Sequence, residues 1–287
     1  MAVLLTGGTG KTSIRIAALL QGAKVPFLLA SRRGQAAAPE GMPAVNFHWS
    51  NLSTYDGPFT QSFPGNEKIS AVYLISPEIS DPVSPMNAFI DLAVEKYQVK
   101  RFVLLAGGSI EQDGHHVGKV WQHLVDIGVE YCVIRATWFM ERMSEQEHLP
   151  TIRNENRIYT ACEDGKAPFI SAIDIAAVAY EVLTCESPQH CDYRLLGPEL
   201  LSYDEVAAKL SNALGRKIEH VRLSAEDNIQ RYIKAGFAEQ YARLLTWLET
   251  MTAQGAEERM NKDVETVTGR PPMKFDNWVE LHKDVWR

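Results

Sequence analysis

Residues 4–20, with the sequence LLTGGTGKTSIRIAALL, join a short apolar run to an apolar pattern of helical spacing through a glycine-rich turn. The apolar run predicts a buried strand, and the recurrence of apolar residues after Lys11 predicts an amphipathic helix. A tight turn between a strand and a helix places the first N–H groups of the helix where they can bind phosphate. This stretch therefore predicts a phosphate-binding loop at the start of an α/β fold.

Two kinds of phosphate-binding loop share part of this sequence. The letters GTGKT resemble the end of a triphosphate-binding P-loop, which needs another glycine five residues before Gly10, where the sequence has Leu5. A dinucleotide-binding loop fits the spacing better, with Ser13 at the position of its third glycine. This interpretation assigns the pyrophosphate of the dinucleotide to residues at the strand end and the helix start: Thr6, Gly7, Gly10, Lys11 and Thr12.

Strand-like and helical patterns alternate through the first half of the chain. Apolar runs such as VPFLLAS, AVYLIS and RFVLLAG are separated by helical patterns such as PMNAFIDLAVEKY, which predicts βαβ units. We therefore expect a Rossmann-type, doubly wound parallel sheet, with the dinucleotide-binding core in residues 1–150. Residues 151–287 are expected to complete the sheet and to form a smaller C-terminal helical substrate lobe. Apolar residues at helical spacing in 227–251 predict the cap of that lobe.

The end of the second predicted strand bears on the choice of cofactor. NAD-binding proteins have an acidic residue about 20 residues past the loop, which binds the ribose hydroxyls. Here the strand ends in Ser31, Arg32 and Arg33, with no acidic residue. Two guanidinium groups suit a 2′-phosphate, so the sequence predicts NADPH. A solvated arginine pair on a surface loop is the alternative.

Residues after the other predicted strands are candidates for contacts with the cofactor or the substrate, since ligands of open α/β sheets lie beyond the carboxyl ends of the strands. Asn51 follows the third predicted strand, where adenine is expected, and its amide suits the edge of a base. Ser76 and Pro77 follow the fourth strand and are expected near the nicotinamide ribose. Ser109 follows the fifth strand and is a candidate for substrate binding, with capping of a turn as the alternative.

Composition argues against several other classes of protein. The chain has 29 lysines and arginines against 36 acidic residues, a net charge of −7, which argues against a nucleic acid partner. No apolar run is long enough to cross a membrane, and no targeting segment precedes the first strand, so a cytoplasmic protein is expected. The four cysteines form no C-x-x-C pair, and we expect buried thiols with neither disulfides nor a metal site.

A family resemblance is carried by seven motifs: LLTGGTGKT, SRR, KRFVLLAGGSIE, YCVIRATWFMER, GKAPFISAIDIAAVA, YRLLGPELLSYDEVA and the closing ETVTGRPPMKFDNWV. Together they resemble the NmrA-like branch of the atypical short-chain dehydrogenases, over nearly the whole chain. Within that branch the chain is similar to the fungal festuclavine and agroclavine dehydrogenases of ergot alkaloid biosynthesis. It departs from the usual pattern at Ala136, where the family generally has proline after the arginine.

The resemblance implies NADPH-dependent reduction of a cyclic iminium formed from chanoclavine-I aldehyde, which closes the fourth ring of the ergoline. It also implies an indole alkaloid as the substrate, an upstream flavin reductase of the same pathway as a partner, and an approach of Lys166 to the cofactor edge. Substrate contacts are expected from aromatic and charged residues that follow the sixth predicted strand: Trp138, Phe139, Glu141, Tyr159 and Phe237. Core packing is the alternative for the aromatic residues, and a position on a helix surface is the alternative for Glu141.

No residue is assigned a catalytic role. Conventional short-chain dehydrogenases protonate the substrate from the tyrosine of a Tyr-x-x-x-Lys pair, and no tyrosine of this chain has a lysine four residues later. An iminium ion already carries the positive charge that protonation would supply, so hydride addition requires positioning and exclusion of water. Two alternatives stay open: a regulatory protein that senses NADP without chemistry, and a reductase of carbonyls or double bonds.

Overall fold

The computed structural model describes residues 1–287. Its strands, numbered in chain order, are β1 (Ala2–Thr6), β2 (Phe27–Ser31), β3 (Ala44–Asn46), β4 (Ile69–Leu74), β5 (Arg101–Gly107), β6 (Glu130–Ala136), β7 (Arg157–Thr160), β8 (Lys166–Ala167), β9 (His190–Leu195), β10 (Leu201–Ser202) and β11 (Glu219–Arg222). Seven of them form one parallel sheet in the order β3-β2-β1-β4-β5-β6-β9. The order reverses between β1 and β4, as in a doubly wound Rossmann sheet, so the predicted fold class is confirmed. The remaining strands form two small sheets, β8 with β10 and β7 with β11.

The helices are α1 (Lys11–Gly22), α2 (Val83–Glu95), α3 (Val117–Asp126), α4 (Arg142–Glu145), α5 (Leu149–Glu155), α6 (Ala172–Thr184), α7 (Tyr203–Leu214), α8 (Ala225–Lys234), α9 (Glu239–Ala253), α10 (Asp263–Thr268) and α11 (Phe275–His282). No helix has both the length and the apolar character that a membrane span requires.

The chain divides into two compact units. We call residues 1–136, 172–195 and 266–269 the sheet unit, and residues 137–171, 196–265 and 270–287 the second unit. The sequence predicts one division at residue 150, whereas the chain passes between the units several times. The reason is that α6 and β9 belong to the sheet unit, where β9 pairs with β6 and extends the sheet.

Helices cover both faces of the main sheet, which explains why its central strands β1 and β4 are almost entirely apolar. The helices α2 and α3 contact each other over one face, where Leu4, Val72 and Phe102 of neighbouring strands are fully buried. On the other face, α1 and α6 contact each other, and Val3 and Leu5 are equally buried. The carboxyl ends of the strands are left to the connecting loops, which carry the predicted cofactor residues.

An aromatic core holds the second unit together. Its largest buried side chains come from several separate parts of the sequence: Phe169, Tyr203, Phe275, Trp278 and Trp286. The helix α7 has defined ends, with a capping box between Ser202 and Glu205 at the start and Gly215 in the left-handed conformation after the last turn. Such ends fix the length of a helix without help from tertiary contacts.

Residues 227–251, for which the sequence predicts a helical cap, form most of α8 and α9, separated by Gly236 with a φ of +94°. The exposed face of α9 carries large apolar side chains: Tyr241, Leu244 and Trp247. Its buried face carries polar side chains: Thr246, Glu249 and Thr252. The apolar periodicity therefore indicates the helices correctly but not the face of α9 that is buried, because the polar face contacts a buried charged cluster.

Candidate functional site

The turn between β1 and α1 has the geometry of a phosphate-binding loop. Gly7 lies in the left-handed region with a φ of +66°, and the N–H of Gly10 donates a 2.6 Å hydrogen bond to the carbonyl of Gly7. Gly10 is the N-cap of α1, no side chain caps the helix there, and its first turn contains no acidic residue. The helix start therefore presents N–H groups and a partial positive charge to an anion.

The loop also approaches the neighbouring strand too closely for a side chain. A Cβ on Gly8 would lie 3.0 Å from the backbone nitrogen and oxygen of Ala30 in β2, and one on Gly10 would lie 2.9 Å from the carbonyl oxygen of Gly7. Gly8 is not among the residues predicted for the loop from the sequence, although its position in the GGTG run is the signal that identifies it. Glycine at these positions keeps the backbone of the loop open to a ligand.

Ser13 occupies the position of the third glycine without displacing α1. Its side chain is fully buried, and its hydroxyl donates a 2.9 Å hydrogen bond to the carbonyl of Thr6. A serine is therefore accommodated because its one polar group is satisfied by the end of β1. This arrangement removes the main objection to a dinucleotide loop in this sequence.

The hydroxyls of Thr6 and Thr12 are used inside the sheet unit. Thr6 Oγ1 donates to the carbonyl of Tyr73 (2.9 Å) and accepts from the N–H of Ile75 (2.8 Å), which ties the carboxyl end of β1 to that of β4. Thr12 Oγ1 accepts from the hydroxyl of Tyr73 at 3.1 Å, and burial raises the pKa of that tyrosine. Because both hydroxyls are engaged within the protein, the predicted phosphate contacts of these two threonines would have to come from their backbone groups.

The end of β2 provides the polar groups expected for a 2′-phosphate. The hydroxyl oxygen of Ser31 is buried and has no hydrogen-bond partner. Arg32 and Arg33 are both exposed, and neither guanidinium group forms a hydrogen bond or an ion pair within the chain. The loop is fixed by its backbone, because the side-chain amide of Asn46 donates to the carbonyl of Arg32 at 2.7 Å. An orphaned hydroxyl beside two unpaired cations fits a phosphate group.

The other predicted residues of the sheet unit lie in loops at the same edge of the sheet. Asn51 is exposed, and its side-chain oxygen accepts hydrogen bonds from the N–H and hydroxyl of Ser53, which leaves its amide nitrogen for a ligand. The hydroxyl of Ser76 donates a 3.3 Å hydrogen bond to the carbonyl of Pro77 in the loop after β4. Ser109 is exposed in the turn after β5. The structure thus brings the predicted cofactor residues of this unit to the carboxyl ends of parallel strands.

In the second unit, Trp138 is fixed by two side-chain contacts. Its indole N–H donates a 3.0 Å hydrogen bond to Thr252 Oγ1 in α9. The guanidinium of Arg142 lies 4.2 Å from the centroid of the Trp138 ring. Trp138 is half-buried, so one ring face is already covered by a cation, which limits stacking of a substrate to the remaining surface.

The cation beneath Trp138 belongs to a buried charged cluster. Arg142 forms ion pairs with Glu147 and Glu249, and its NH2 group donates to the hydroxyl of Tyr232 at 2.5 Å. Burial by itself would lower the pKa of Arg142, but the nearby carboxylates outweigh it and raise that pKa well above its usual value. Glu249 also accepts from the backbone N–H of Ala161 at 2.8 Å. The cluster therefore joins three separate parts of the second unit.

Glu141 does not lie where either interpretation of the sequence places it. Its side chain is fully buried, so a position on a helix surface is wrong. Its Oε1 accepts hydrogen bonds from the hydroxyl of Ser171 (3.0 Å) and the indole N–H of Trp278 (3.2 Å). The carboxylate thus holds the interior of the second unit together and presents no accessible face to a cationic substrate. The sequence could not indicate this, because Trp278 lies far along the chain.

The remaining predicted residues of the second unit each contact a different partner. Phe139 is half-buried and its backbone pairs with Ile170. Tyr159, on β7, donates from its hydroxyl to Glu155 at 2.8 Å. Lys166, on β8, is half-buried and forms a 3.2 Å ion pair with Glu205.

Phe237 lies in the turn between α8 and α9, where its ring packs 5.4 Å from Tyr232 and 5.9 Å from Tyr241. This small aromatic cluster agrees with the core-packing alternative for Phe237.

Glu257 is a further carboxylate of the second unit that the sequence does not predict as a site residue. Glu257 lies in the loop after α9, and its Oε2 accepts a 2.7 Å hydrogen bond from the hydroxyl of Thr137, the residue that directly follows β6. Its side chain is 15% exposed. Nothing in the spacing of the sequence links Glu257 to Thr137, since 120 positions separate them.

Relatives of the chain were found among known proteins. No family model matches it. It is 42% identical over 289 residues to festuclavine synthase II of Penicillium roqueforti, covering 100% of both chains. It is 41% identical over 289 residues to agroclavine dehydrogenase of Claviceps fusiformis, covering 100% of this chain and 99% of the relative.

Solved structures show the same fold at lower sequence identity. Triphenylmethane reductase of Citrobacter sp. complexed with NADP(H) matches with a TM-score of 0.78 and 18% identity, covering 98% of this chain and 100% of that chain. The NADPH-dependent quinone oxidoreductase of Escherichia coli complexed with NADPH matches with a TM-score of 0.79 and 19% identity, covering 97% and 99%. At such identities the likeness establishes the Rossmann-type fold.

Proposed function

The chain belongs to the family of the festuclavine and agroclavine dehydrogenases, and on that premise we propose that it catalyses the NADPH-dependent reduction of a cyclic iminium of a clavine alkaloid. The observation that carries the proposal is the similarity of about two residues in five along the full length of both relatives. The product would be a tertiary amine of the festuclavine or agroclavine type. An upstream flavin reductase of the same pathway remains our proposal for the supply of the substrate.

The residues at the end of β1 and β2 fit NADPH as the cofactor. The open start of α1 suits the pyrophosphate, and the orphaned hydroxyl of Ser31 with Arg32 and Arg33 suits the 2′-phosphate. The chemistry that NADPH supplies is a hydride from its nicotinamide ring. The fold of the cofactor complexes named above supports the same choice.

The chain offers no tyrosine–lysine acid, and the proposed reaction needs none. Tyr131 has Arg135 four residues later, but the Arg135 guanidinium is buried and paired with Asp192 at 2.9 Å and with Glu111. A hydride added to the iminium carbon moves the C=N π electrons onto nitrogen, and the product is a neutral amine. The protein has to bind the substrate, orient its iminium carbon and exclude water.

The proposal is tested with purified protein, NADPH and a pre-formed cyclic iminium of the clavine type. We expect NADPH consumption well above the non-enzymatic rate. With NADPH deuterated at the transferred position, the amine product should carry one deuterium, measured by mass spectrometry. Tight binding of NADPH without turnover would overturn the proposal and favour a regulatory role. Turnover of an aldehyde or enone in the absence of any amine would favour a carbonyl or double-bond reductase.

A further inference from the structure

We propose that Glu257 is the carboxylate that pairs with the positive charge of the substrate, an inference that rests on the proposed iminium substrate. The sequence suggests Glu141 for this role, and the structure removes it, because Glu141 is fully buried and hydrogen-bonded to Ser171 and Trp278. The side chain of Glu257 is 15% exposed, so that it is not closed off from solvent as Glu141 is.

The position of Glu257 is defined by its hydrogen bond to Thr137. Thr137 Oγ1 donates to Glu257 Oε2 at 2.7 Å, and Thr137 is the first residue after the carboxyl end of β6. Ligands of open parallel sheets bind beyond the carboxyl ends of the strands. The hydrogen bond to Thr137 therefore holds Glu257 beside the segment that directly follows the carboxyl end of β6.

The loop that carries Glu257 is fixed by the end of α9. Gly255 lies in the left-handed region with a φ of +83°, its N–H donates to the carbonyl of Thr252 (2.9 Å), and the N–H of Ala256 donates to the carbonyl of Met251 (3.1 Å). These two bonds form a Schellman motif, which ends a helix in a defined direction. Thr252 is also the partner of the Trp138 indole. Two consecutive residues, Thr137 and Trp138, are thus tied to the end of α9 and its loop.

Electrostatics at this position favour a cation. The helix α9 has no basic residue in its last turn, so its carbonyl end adds a partial negative charge to the full charge of Glu257. The cation nearby is Arg259, whose guanidinium lies 3.9 Å from Glu257 Oε1 and donates to the carbonyl of Ala256. At 3.9 Å this is a loose ion pair, in contrast with the tight pairs of Arg142. A substrate cation can approach Glu257 in exchange for Arg259.

The test compares Glu257→Gln with Glu258→Gln. Glu258 is exposed, adjacent in sequence and not bonded to Thr137, so its substitution removes the same charge from the same loop. We expect Glu257→Gln to raise the KM for the iminium about tenfold at low salt, with kcat and the Kd for NADPH within about twofold of the wild-type values. Added salt should raise the KM of the wild type and of Glu258→Gln, and should leave that of Glu257→Gln nearly unchanged.

The outcomes separate this inference from the proposed function. Wild-type protein without iminium turnover would overturn both. Turnover with equal KM values for wild type, Glu257→Gln and Glu258→Gln would overturn the inference alone. Should Glu257→Gln fail to fold, Arg259→Gln provides an independent measurement, because loss of the competing guanidinium should lower the KM. An unchanged or raised KM in Arg259→Gln would contradict the role of Glu257.

Discussion

In the sheet unit, the candidate cofactor residues Gly7, Gly10 and Ser31 are positioned by the strands that end beside them, through backbone geometry at the ends of β1 and β2. In the second unit, Trp138 is positioned by Arg142 on one side and by Thr252, 114 positions along the chain, on the other. The first site depends on local conformation, and the second depends on side chains brought together by the whole unit. Substitutions in the cofactor loops of the sheet unit should therefore change cofactor binding, and substitutions in the buried cluster around Arg142 should change stability.

The largest effect is expected for a substitution of Arg142 in the second unit. Arg142→Leu leaves Glu147 and Glu249 buried without their cation, and we expect it to lower the free energy of unfolding by about 3–5 kcal/mol, measured by urea denaturation. Arg153→Leu, at an exposed arginine of the same unit, is the control and should change that free energy by less than about 0.5 kcal/mol. Equal stability of the two variants would show that the buried cluster does not hold the second unit together.

The arginine pair after β2 should show the opposite behaviour. We expect the double substitution Arg32→Ala and Arg33→Ala to raise the Kd for NADPH about 100-fold, because it removes two charge-assisted contacts to the 2′-phosphate. The Kd for NADH, which lacks that phosphate, should change by about threefold or less. The melting temperature should stay close to that of the wild type, since both side chains are exposed and unpaired. Parallel losses for the two cofactors, in fluorescence titrations, would refute the assignment.

Gly10 provides a smaller and different test of the sheet unit. A Cβ at Gly10 would lie 2.9 Å from the carbonyl oxygen of Gly7, so Gly10→Ala should distort the turn and raise the Kd values for NADPH and NADH alike, by about tenfold. Gly22→Ala is the matched control, because a Cβ there has no atom within 4 Å. If Gly10→Ala weakened NADPH alone, the loop would not be the shared pyrophosphate site.

The same contrast explains what the sequence could predict. The doubly wound parallel sheet and the phosphate loop follow from patterns that lie within short stretches, such as the glycines at 7 and 10 and the alternation of strands and helices. Even Ser13, which departs from the glycine pattern, satisfies its hydroxyl on Thr6, seven positions away. Local spacing is sufficient where the partners of a residue are its neighbours in sequence.

Glu141 and α9 show why the second unit was harder to predict. The burial of Glu141 depends on Trp278, 137 positions away, and the burial of Glu249 depends on Arg142, 107 positions away. A carboxylate beside an aromatic pair in sequence has the same local pattern whether it faces solvent or the interior. Whether the carboxylate is buried depends on the cation or hydrogen-bond donor that the fold brings to it. The periodicity of the sequence does not indicate that partner.

The smallest expected effect is a difference in thiol reactivity between two cysteines, one paired across the main sheet and one buried in the second unit. Cys191 and Cys132 are partners across β9 and β6, and a hydrogen bond from Cys132 lowers the pKa of Cys191 to about 7, whereas burial raises the pKa of Cys162 in the second unit. A lower pKa means that the thiolate forms at lower pH, so iodoacetamide should label Cys191 at pH 7 and leave Cys162 unmodified.

The pH dependence of labelling, followed by mass spectrometry, measures this pKa directly. The rate at Cys191 should rise with a midpoint at about pH 7 and level off roughly one to two pH units higher, because the thiolate is the reactive form. Cys132→Ala removes the hydrogen-bond donor and should shift the midpoint upward, with a roughly fivefold slower reaction at pH 7. A wild-type midpoint at about 8.5, the value of an unperturbed thiol, would mean that strand pairing does not set the reactivity of Cys191. In that case the neighbouring strand would position Cys191 without changing the chemistry of its side chain.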